Sequence, residues 1–233
     1  STAQHTQLQD WLKRRAQGEP LAYILGRKEF FGLTLAVNPH VLVPRPDTEV
    51  LVEWALELIP TDAPWRVLDL GTGSGAIALA LQHQRPHAQV TAVDASEGAL
   101  QTAQANARQL GLPVRFLHGS WLEPVQGECF DLIVSNPPYI AEGDPHLPAL
   151  THEPISALAA GQDGLDDIRH IARHAPSHLT PSGHLLLEHG YDQALRIKAI
   201  LNQLGYSGIQ TRVDLGGNER CTGAQMQKSA SRP

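Results

Sequence analysis

The chain has 233 residues, of which 42% are hydrophobic and 18% charged, and its formal net charge is −6. This is an ordinary globular composition for one large domain, and it argues against long-range disorder. Residues 51–233 carry 12 basic and 19 acidic side chains, which disfavours a protein held mainly by nucleic-acid phosphates. No apolar run of 18 residues and no secretory signal is visible, so we expect a cytoplasmic protein without a membrane anchor. Cys129 and Cys221 alone cannot form a zinc quartet, and no metal is expected.

The first 64 residues predict a helix, a hairpin and a second helix. Apolar residues at 3–4 spacing indicate a helix over residues 7–15. Loose alternation over residues 30–43 predicts a hairpin. A helix over residues 50–58 follows a proline-rich loop, and Asp47 or Thr48 is expected to cap it.

From residue 65 onward, short apolar strands alternate with helices. This order is typical of an α/β domain with a mostly parallel sheet and helices on both faces. We expect seven strands, at residues 66–70, 89–93, 114–117, 130–135, 184–188, 209–213 and 223–227. Helices are expected at residues 76–82, 99–110 and 193–204. Ligands of such sheets bind at the carboxyl ends of the strands, so the loops there are the candidates for chemistry.

A glycine-rich turn follows the first strand of this sheet and reads Gly71-Thr72-Gly73-Ser74-Gly75. Asp94 ends the next strand, where a carboxylate can accept hydrogen bonds from both hydroxyls of a ribose. The two features predict an adenosine-binding site. The pattern Gly71-x-Gly73-x-x-Ala76 satisfies the permissive dinucleotide fingerprint, so the loop alone leaves NAD open. The pattern Asp69-x-Gly71-x-Gly73-x-Gly75 resembles the S-adenosylmethionine loop of class I methyltransferases.

The fourth strand ends in Asn136-Pro137-Pro138-Tyr139. The prolines stiffen the backbone, and the Asn136 side-chain oxygen and the Pro137 carbonyl can aim two acceptors at one NH₂ group. Such fixed dipoles favour a pyramidal nitrogen whose lone pair is directed at an electrophile. Tyr139 can stack on a flat substrate group. Loop and tetrapeptide together resemble amino-methyltransferases, which methylate an exocyclic NH₂ of adenine or cytosine or the side-chain amide of glutamine.

The resemblance becomes more specific outside these two motifs. The segments GEPLAY at 18–23, EFFG at 29–32 and PRPDTE at 44–49 resemble the linker before the catalytic domain of peptide-chain release factor glutamine N5-methyltransferases. The segments EHG at 188–190 and DLGGNER at 214–220 resemble the same family near its end. The similarity covers about residues 7–227. It implies methyl transfer from S-adenosylmethionine, with S-adenosylhomocysteine as product, to the N5 amide nitrogen of the glutamine in the Gly-Gly-Gln loop of a class 1 release factor.

The same resemblance implies roles for particular residues. The expected cofactor-binding residues are Gly71, Thr72, Gly73, Ser74, Gly75, Asp94, Trp121 and Asn136. The expected catalytic residues are Asn136, Pro137, Pro138 and Tyr139. No role is assigned to Arg45, His152 or His189.

We expect four regions in a Rossmann-like class I methyltransferase. Residues 1–20 form the remnant of an N-terminal helical recognition domain, and residues 21–64 form a linker with a hairpin and a helix. Residues 65–228 form the catalytic domain, and residues 229–233 form a flexible tail. The expected partner is a class 1 release factor, with no membrane and no direct nucleic-acid binding.

Three other functions remain in competition at this point. An adenine-N6 methyltransferase acting on RNA or DNA would share both motifs, but it predicts a basic groove or an RNA-binding appendage. An NAD-dependent oxidoreductase would explain the glycine turn and leave Asn-Pro-Pro-Tyr unused. A non-catalytic adenosine-binding scaffold is disfavoured because cofactor and acceptor residues are both intact.

Overall fold

The computed structural model describes residues 1–226, which form one seven-stranded sheet, a separate hairpin and seven α-helices. The hairpin consists of β1 (Arg27–Phe30) and β2 (Leu33–Ala36). The sheet consists of β3 (Arg66–Leu70), β4 (Gln89–Asp94), β5 (Arg115–His118), β6 (Phe130–Ser135), β7 (Leu179–Glu188), β8 (Tyr206–Val213) and β9 (Glu219–Met226). The helices are α1 (Thr2–Ala16), α2 (Leu21–Leu25), α3 (Glu49–Leu58), α4 (Ala76–Gln84), α5 (Glu97–Leu110), α6 (Asp166–His174) and α7 (Ala194–Gln203).

The strand order of the sheet is β5-β4-β3-β6-β7-β9-β8. Strands β3 to β7 pair in parallel, and β9 runs antiparallel to both of its neighbours. The predicted mostly parallel seven-stranded sheet is therefore confirmed. The chain moves outward from β3 to β5 and then returns to β6 on the other side of β3. This reversal opens a crevice at the carboxyl ends of β3 and β6, which is where such sheets bind ligands.

Two apolar clusters cover the two faces of the sheet. Alternation along β3 sends Val67 to one cluster and Leu68 to the other, and both are fully buried. The first cluster includes buried residues of α3 and α4, and the second includes residues of α6 and α7. Helices on both faces are thus confirmed, and the double burial explains why the central strands read as nearly continuous apolar runs. Among residues 1–226, no helix is long and apolar enough to cross a membrane.

The predicted hairpin over residues 30–43 is wrong in position. Its turn lies at Phe31 and Gly32, both with positive φ (49° and 78°), which suits a tight two-residue hairpin turn. The apolar alternation after β2 comes from Val37, Val41 and Val43, which are buried in a small cluster of their own without forming a strand. Alternating burial therefore continued past the end of the hairpin and misled the prediction.

Other boundaries differ from the prediction in simpler ways. Helix α1 begins at Thr2, five residues earlier than predicted, and none of its residues is buried. Helices α2 and α6 were not predicted, and β7 begins at Leu179 rather than at residue 184. Residue 227 of the last predicted strand and the predicted tail at 229–233 lie outside the described residues.

Candidate active site

A cavity of about 530 Å³ lies at the carboxyl ends of β3 to β6, within the size range of small-molecule sites. Most of the predicted site residues form its wall, namely Gly71, Thr72, Gly73, Ser74, Asp94, Trp121, Asn136 and Pro138. The remaining three, Gly75, Pro137 and Tyr139, do not line it. The tertiary structure therefore brings the two predicted motifs to one cavity, although they are far apart in the sequence.

The glycine turn connects β3 to α4 through left-handed backbone. Gly71, Gly73 and Gly75 have φ values of 72°, 57° and 84°, which glycine adopts without steric cost. The backbone N–H groups of Gly71 and Thr72 both donate to the Val93 carbonyl, at 2.9 and 3.0 Å. These bonds hold the turn against the end of β4 and place it beside Asp94.

The three glycines differ in the space around them, which leads to a testable contrast. A Cβ at Gly73 would meet nothing within 4 Å, whereas one at Gly75 would lie 3.0 Å from Leu79 Cδ1 and 3.2 Å from Ala103 Cβ. We expect Gly73→Ala to lower the free energy of unfolding by about 1–2 kcal/mol through backbone strain alone. Gly75→Ala should lower it further because steric crowding adds to the strain. Urea unfolding without cofactor measures both, and equal losses would contradict this account.

Asp94 is half-buried at the end of β4 and already holds two backbone groups. Its Oδ2 accepts from Gly73 N and its Oδ1 from Ser96 N, both at 2.8 Å. Burial raises the pKa of Asp94, and these two N–H groups oppose that shift. Each carboxylate oxygen retains a further lone pair for a ligand hydroxyl.

A second carboxyl, that of Asp69, supports the glycine turn by hydrogen bonding, a role that the sequence did not predict. It is fully buried, and its Oδ2 accepts from Thr72 Oγ1 at 2.6 Å and from Ala78 N at 3.3 Å. Burial raises its pKa to about 7. Asp69 is the second-last residue of β3, where a carboxylate can reach an N–H group at the start of the following helix. This position in the sequence was the available signal for its role.

Trp121 lies on the exposed backbone of Gly71. A Cβ at Gly71 would be 3.4 Å from the indole Cζ3, so the absence of a side chain there makes room for the ring. Trp121 itself has a φ of 45°, an uncommon value for a bulky residue. Asp167, at the start of α6, also lines the cavity; burial raises its pKa, and the nearby Trp121 indole opposes that rise.

The side-chain amide of Asn136 has a defined orientation. Its Nδ2 donates to Thr48 Oγ1 at 3.2 Å, which leaves Oδ1 as an acceptor at the cavity. Thr48 occupies the N-cap position of α3 but makes no side-chain capping bond. Asp47 makes none either, so the predicted cap is wrong. The hydroxyl of Thr48 instead supports a residue 88 positions away, a contact that no local pattern predicts.

Tyr139 does not line the cavity, and its backbone carbonyl is fixed by neighbouring residues. Its carbonyl accepts from Gln193 Nε2 at 2.9 Å, and a Cβ at Gly164 would lie 2.2 Å from the same oxygen. Burial raises the pKa of the Tyr139 phenol, and the buried carboxyl of Glu188 adds to that rise. Stacking of Tyr139 on a substrate therefore stays a prediction, and Gln193, Gly164 and Glu188 are supporting residues that sequence reasoning missed.

Three residues without a predicted role now have defined surroundings. Arg45 lines the cavity and donates to the buried carboxylate of Glu153, which also accepts from Val43 N at 3.1 Å.

The two histidines lie outside the cavity wall. A ring nitrogen of His152 lies within hydrogen-bond distance of the Gln17 carbonyl at the end of α1. His189 is fully buried with its Nε2 2.8 Å from Thr222 Oγ1, an arrangement that serves packing. Within residues 1–226, no cluster of three or more metal-ligating side chains occurs.

Comparison with solved structures supports the fold. A methyltransferase from Pyrococcus furiosus matches with a TM-score of 0.65 and 21% identity, covering 97% of this chain and 100% of that one. A T. thermophilus 16S rRNA methyltransferase in complex with AdoMet and guanosine has a TM-score of 0.65 at 22% identity, covering 86% of this chain and 50% of that one.

Two family models match the sequence. The model "Methyltransferase small domain" matches residues 48–157, and the model "PrmC N-terminal domain" matches residues 1–26. The fold is that of a class I methyltransferase, and the methyltransferase family model matches the part of the chain that forms most of the cavity.

Sequence relatives narrow this class to one family. The release factor glutamine methyltransferase of Coxiella burnetii is 49% identical over 221 residues, which is 94% of this chain and 80% of that protein. The release factor glutamine methyltransferase of Pseudomonas aeruginosa is 52% identical over 216 residues, 91% of this chain and 78% of that protein. The chain belongs to the release factor glutamine methyltransferase family.

Proposed function

We propose that this protein transfers a methyl group from S-adenosylmethionine to the N5 side-chain nitrogen of the glutamine in the Gly-Gly-Gln loop of a class 1 release factor. The observation that carries this proposal is the identity of about half of all residues to release factor glutamine methyltransferases over more than 90% of the chain. The orientation of Asn136 supports it, because an amide oxygen at the cavity is an acceptor for an NH₂ group.

The glycine turn, Asp94 and Trp121 would hold the cofactor. Bare backbone at Gly71 and Gly73 permits close approach, and the free lone pairs of Asp94 suit the two hydroxyls of a ribose. Trp121 offers a flat apolar surface beside this position for the adenine ring. When bound there, S-adenosylmethionine supplies an electrophilic methyl group on its sulfonium centre.

The Asn-Pro-Pro-Tyr loop would hold the acceptor. Asn136 Oδ1 would accept from one hydrogen of the glutamine NH₂ and the Pro137 carbonyl from the other, which would direct the nitrogen lone pair toward the methyl group. The contact with Pro137 stays a prediction, because Pro137 does not line the cavity. Transfer is direct, with no covalent enzyme intermediate. The chain needs no strong base, because the nitrogen becomes cationic and acidic once it carries the methyl group. Orientation and exclusion of water are then the main contributions of the protein.

A protein substrate also suits the surface next to the site. Tyr191, Leu195 and Leu215 expose 67%, 76% and 106% of their reference areas on segments that follow β7 and β8. Apolar side chains exposed at the carboxyl edge of the sheet suit contact with a protein better than contact with nucleic-acid phosphates. Residues 1–20 would provide further contacts with the release factor. The reaction would take place in the cytoplasm.

The test is to incubate the protein with methyl-labelled S-adenosylmethionine and, separately, with a class 1 release factor, bulk RNA and DNA. We expect label in the release factor alone, on the Gly-Gly-Gln glutamine. A release factor with that glutamine changed to alanine is the matched control and should remain unlabelled. Label in RNA or DNA would favour the adenine-N6 alternative and contradict the proposal.

A further inference from the structure

Glu188 is a buried carboxyl that the proposed chemistry does not use. It is the last residue of β7 and is 1% exposed. Its neighbour Leu187 pairs with Ser135, the residue before Asn136, so the carboxyl lies below the Asn-Pro-Pro-Tyr loop. Its Oε2 has no hydrogen-bond partner anywhere in residues 1–226. Burying a carboxyl in this way is costly, so its presence needs a reason.

Two hydroxyls of the site face this carboxyl. One belongs to Thr48, whose Oγ1 already accepts from Asn136 Nδ2 at 3.2 Å. The other belongs to Tyr139, and both hydroxyls lower the pKa of Glu188 against the rise that burial causes. Because Thr48 uses its oxygen to accept from Asn136, its own hydrogen is available for the carboxylate.

We propose that Glu188 is a positioning residue for methyl transfer, acting through Thr48 on Asn136. The carboxylate fixes the direction of the Thr48 hydroxyl, so that its lone pair faces Asn136 Nδ2. That bond keeps the amide from turning over, and Oδ1 stays directed at the acceptor nitrogen. The carboxylate also holds the phenol of Tyr139 behind the loop. This inference rests on the proposed function, because it assigns Asn136 Oδ1 to the acceptor amide.

The charges around Glu188 determine when this arrangement exists. Burial raises its pKa to about 7, and the charge of Arg220 opposes that rise. Arg220 is itself held by Asp214 at 3.0 Å and lies 3.4 Å from Asp47. The ionisable or charged groups that face Glu188 from the packed elements are Asp47 before α3, Tyr139 after β6, and Arg220 and Cys221 on β9. Burial is therefore the main reason that Glu188 ionises near neutral pH, while Asp47 adds to the rise in its pKa and Arg220 opposes it.

The sign of the pH dependence follows from this arrangement. The ionised carboxylate has acceptors only and can take the hydrogens of both hydroxyls, whereas the protonated form carries a donor of its own that competes for the Thr48 oxygen. Turnover should therefore rise as the pH increases through about 7, where Glu188 ionises.

The experiment compares Thr48→Val, Thr48→Ser and Glu188→Gln with the wild-type protein, using a release factor as substrate. Thr48→Val keeps the side-chain shape and removes the hydroxyl, and kcat should fall about tenfold, the scale of one buried hydrogen bond. Thr48→Ser restores the hydroxyl and should recover most of the rate. Glu188→Gln should lower kcat and remove the inflection near pH 7. Cofactor affinity, measured by calorimetry, should stay within twofold in all three.

A matched control separates positioning from stability. Thr91 is a buried threonine in β4, outside the cavity wall, so Thr91→Val should leave kcat and the pH profile unchanged. If Thr48→Val and Glu188→Gln retain wild-type kcat and the same inflection, the positioning role is wrong even though the wild type methylates the release factor. If the wild type labels no release factor, the proposed function itself fails, and this inference is overturned with it.

Discussion

Replacing Asn136 with alanine is expected to lower kcat about 10²–10³-fold, the usual scale for losing one preorganised polar contact in an active site. Asn136 Oδ1 is the acceptor that Thr48 directs at the cavity. Alanine removes it and leaves the glycine turn and Asp94 untouched. The dissociation constant of S-adenosylmethionine should therefore change little. Single-turnover methylation of a release factor at saturating cofactor measures the loss.

Asn136→Asp is the sharper test of the same idea. Aspartate keeps an acceptor, but it adds a charge and removes the NH₂ group that donates to Thr48. A site organised around a neutral amide should tolerate this poorly, whereas a turn with only a structural role would tolerate it well. Asn202→Ala, on the exposed face of α7, is the control and should behave as the wild type. Near-wild-type turnover in both Asn136 variants would show that the motif serves only as a turn.

Asp94→Ala is expected to weaken binding of S-adenosylmethionine by about 1.5–3 kcal/mol, the range for hydrogen bonds to a charged group. The carboxylate is the proposed ribose acceptor and also holds Gly73 N and Ser96 N. Its removal thus takes away a ligand contact and loosens the turn that forms the rest of the site. Calorimetry gives the loss directly, and kcat at saturating cofactor should fall much less than it does for Asn136→Ala.

Two comparisons make the Asp94 result specific. Asp94→Asn keeps one acceptor oxygen, so it should bind the cofactor more weakly than the wild type and more tightly than Asp94→Ala. Asp62→Ala, at an exposed position, is the charge-matched control and should bind normally. Tight binding of NAD together with no binding of S-adenosylmethionine would contradict the cofactor assignment and support the oxidoreductase reading of the glycine turn.

The strands that carry the site were predictable because both faces of the sheet are covered. Strand β3 was predicted at residues 66–70 and β6 at residues 130–135, and both have these bounds in the structure. A strand buried on both faces reads as a short apolar run, and its length together with the flanking glycine or proline distinguishes it from a buried helix segment. The hairpin was misplaced because the burial of Val37, Val41 and Val43 alternates without strand pairing.

The amino-acid sequence by itself determined the class of protein and predicted eight residues that line one cavity. The glycine turn, Asp94 and Asn136 are each tied to the carboxyl end of a parallel strand, and parallel strands bring those ends together whatever the loops between them do. Only the tertiary structure decided how Asn136 is oriented. Thr48 and Asn136 come from separate regions of the chain, and a hydrogen bond of this kind depends on packing between elements rather than on any local pattern. Whether a carboxyl such as Asp69 or Glu188 is buried, and so has a pKa raised to about 7, is likewise decided by the surrounding side chains.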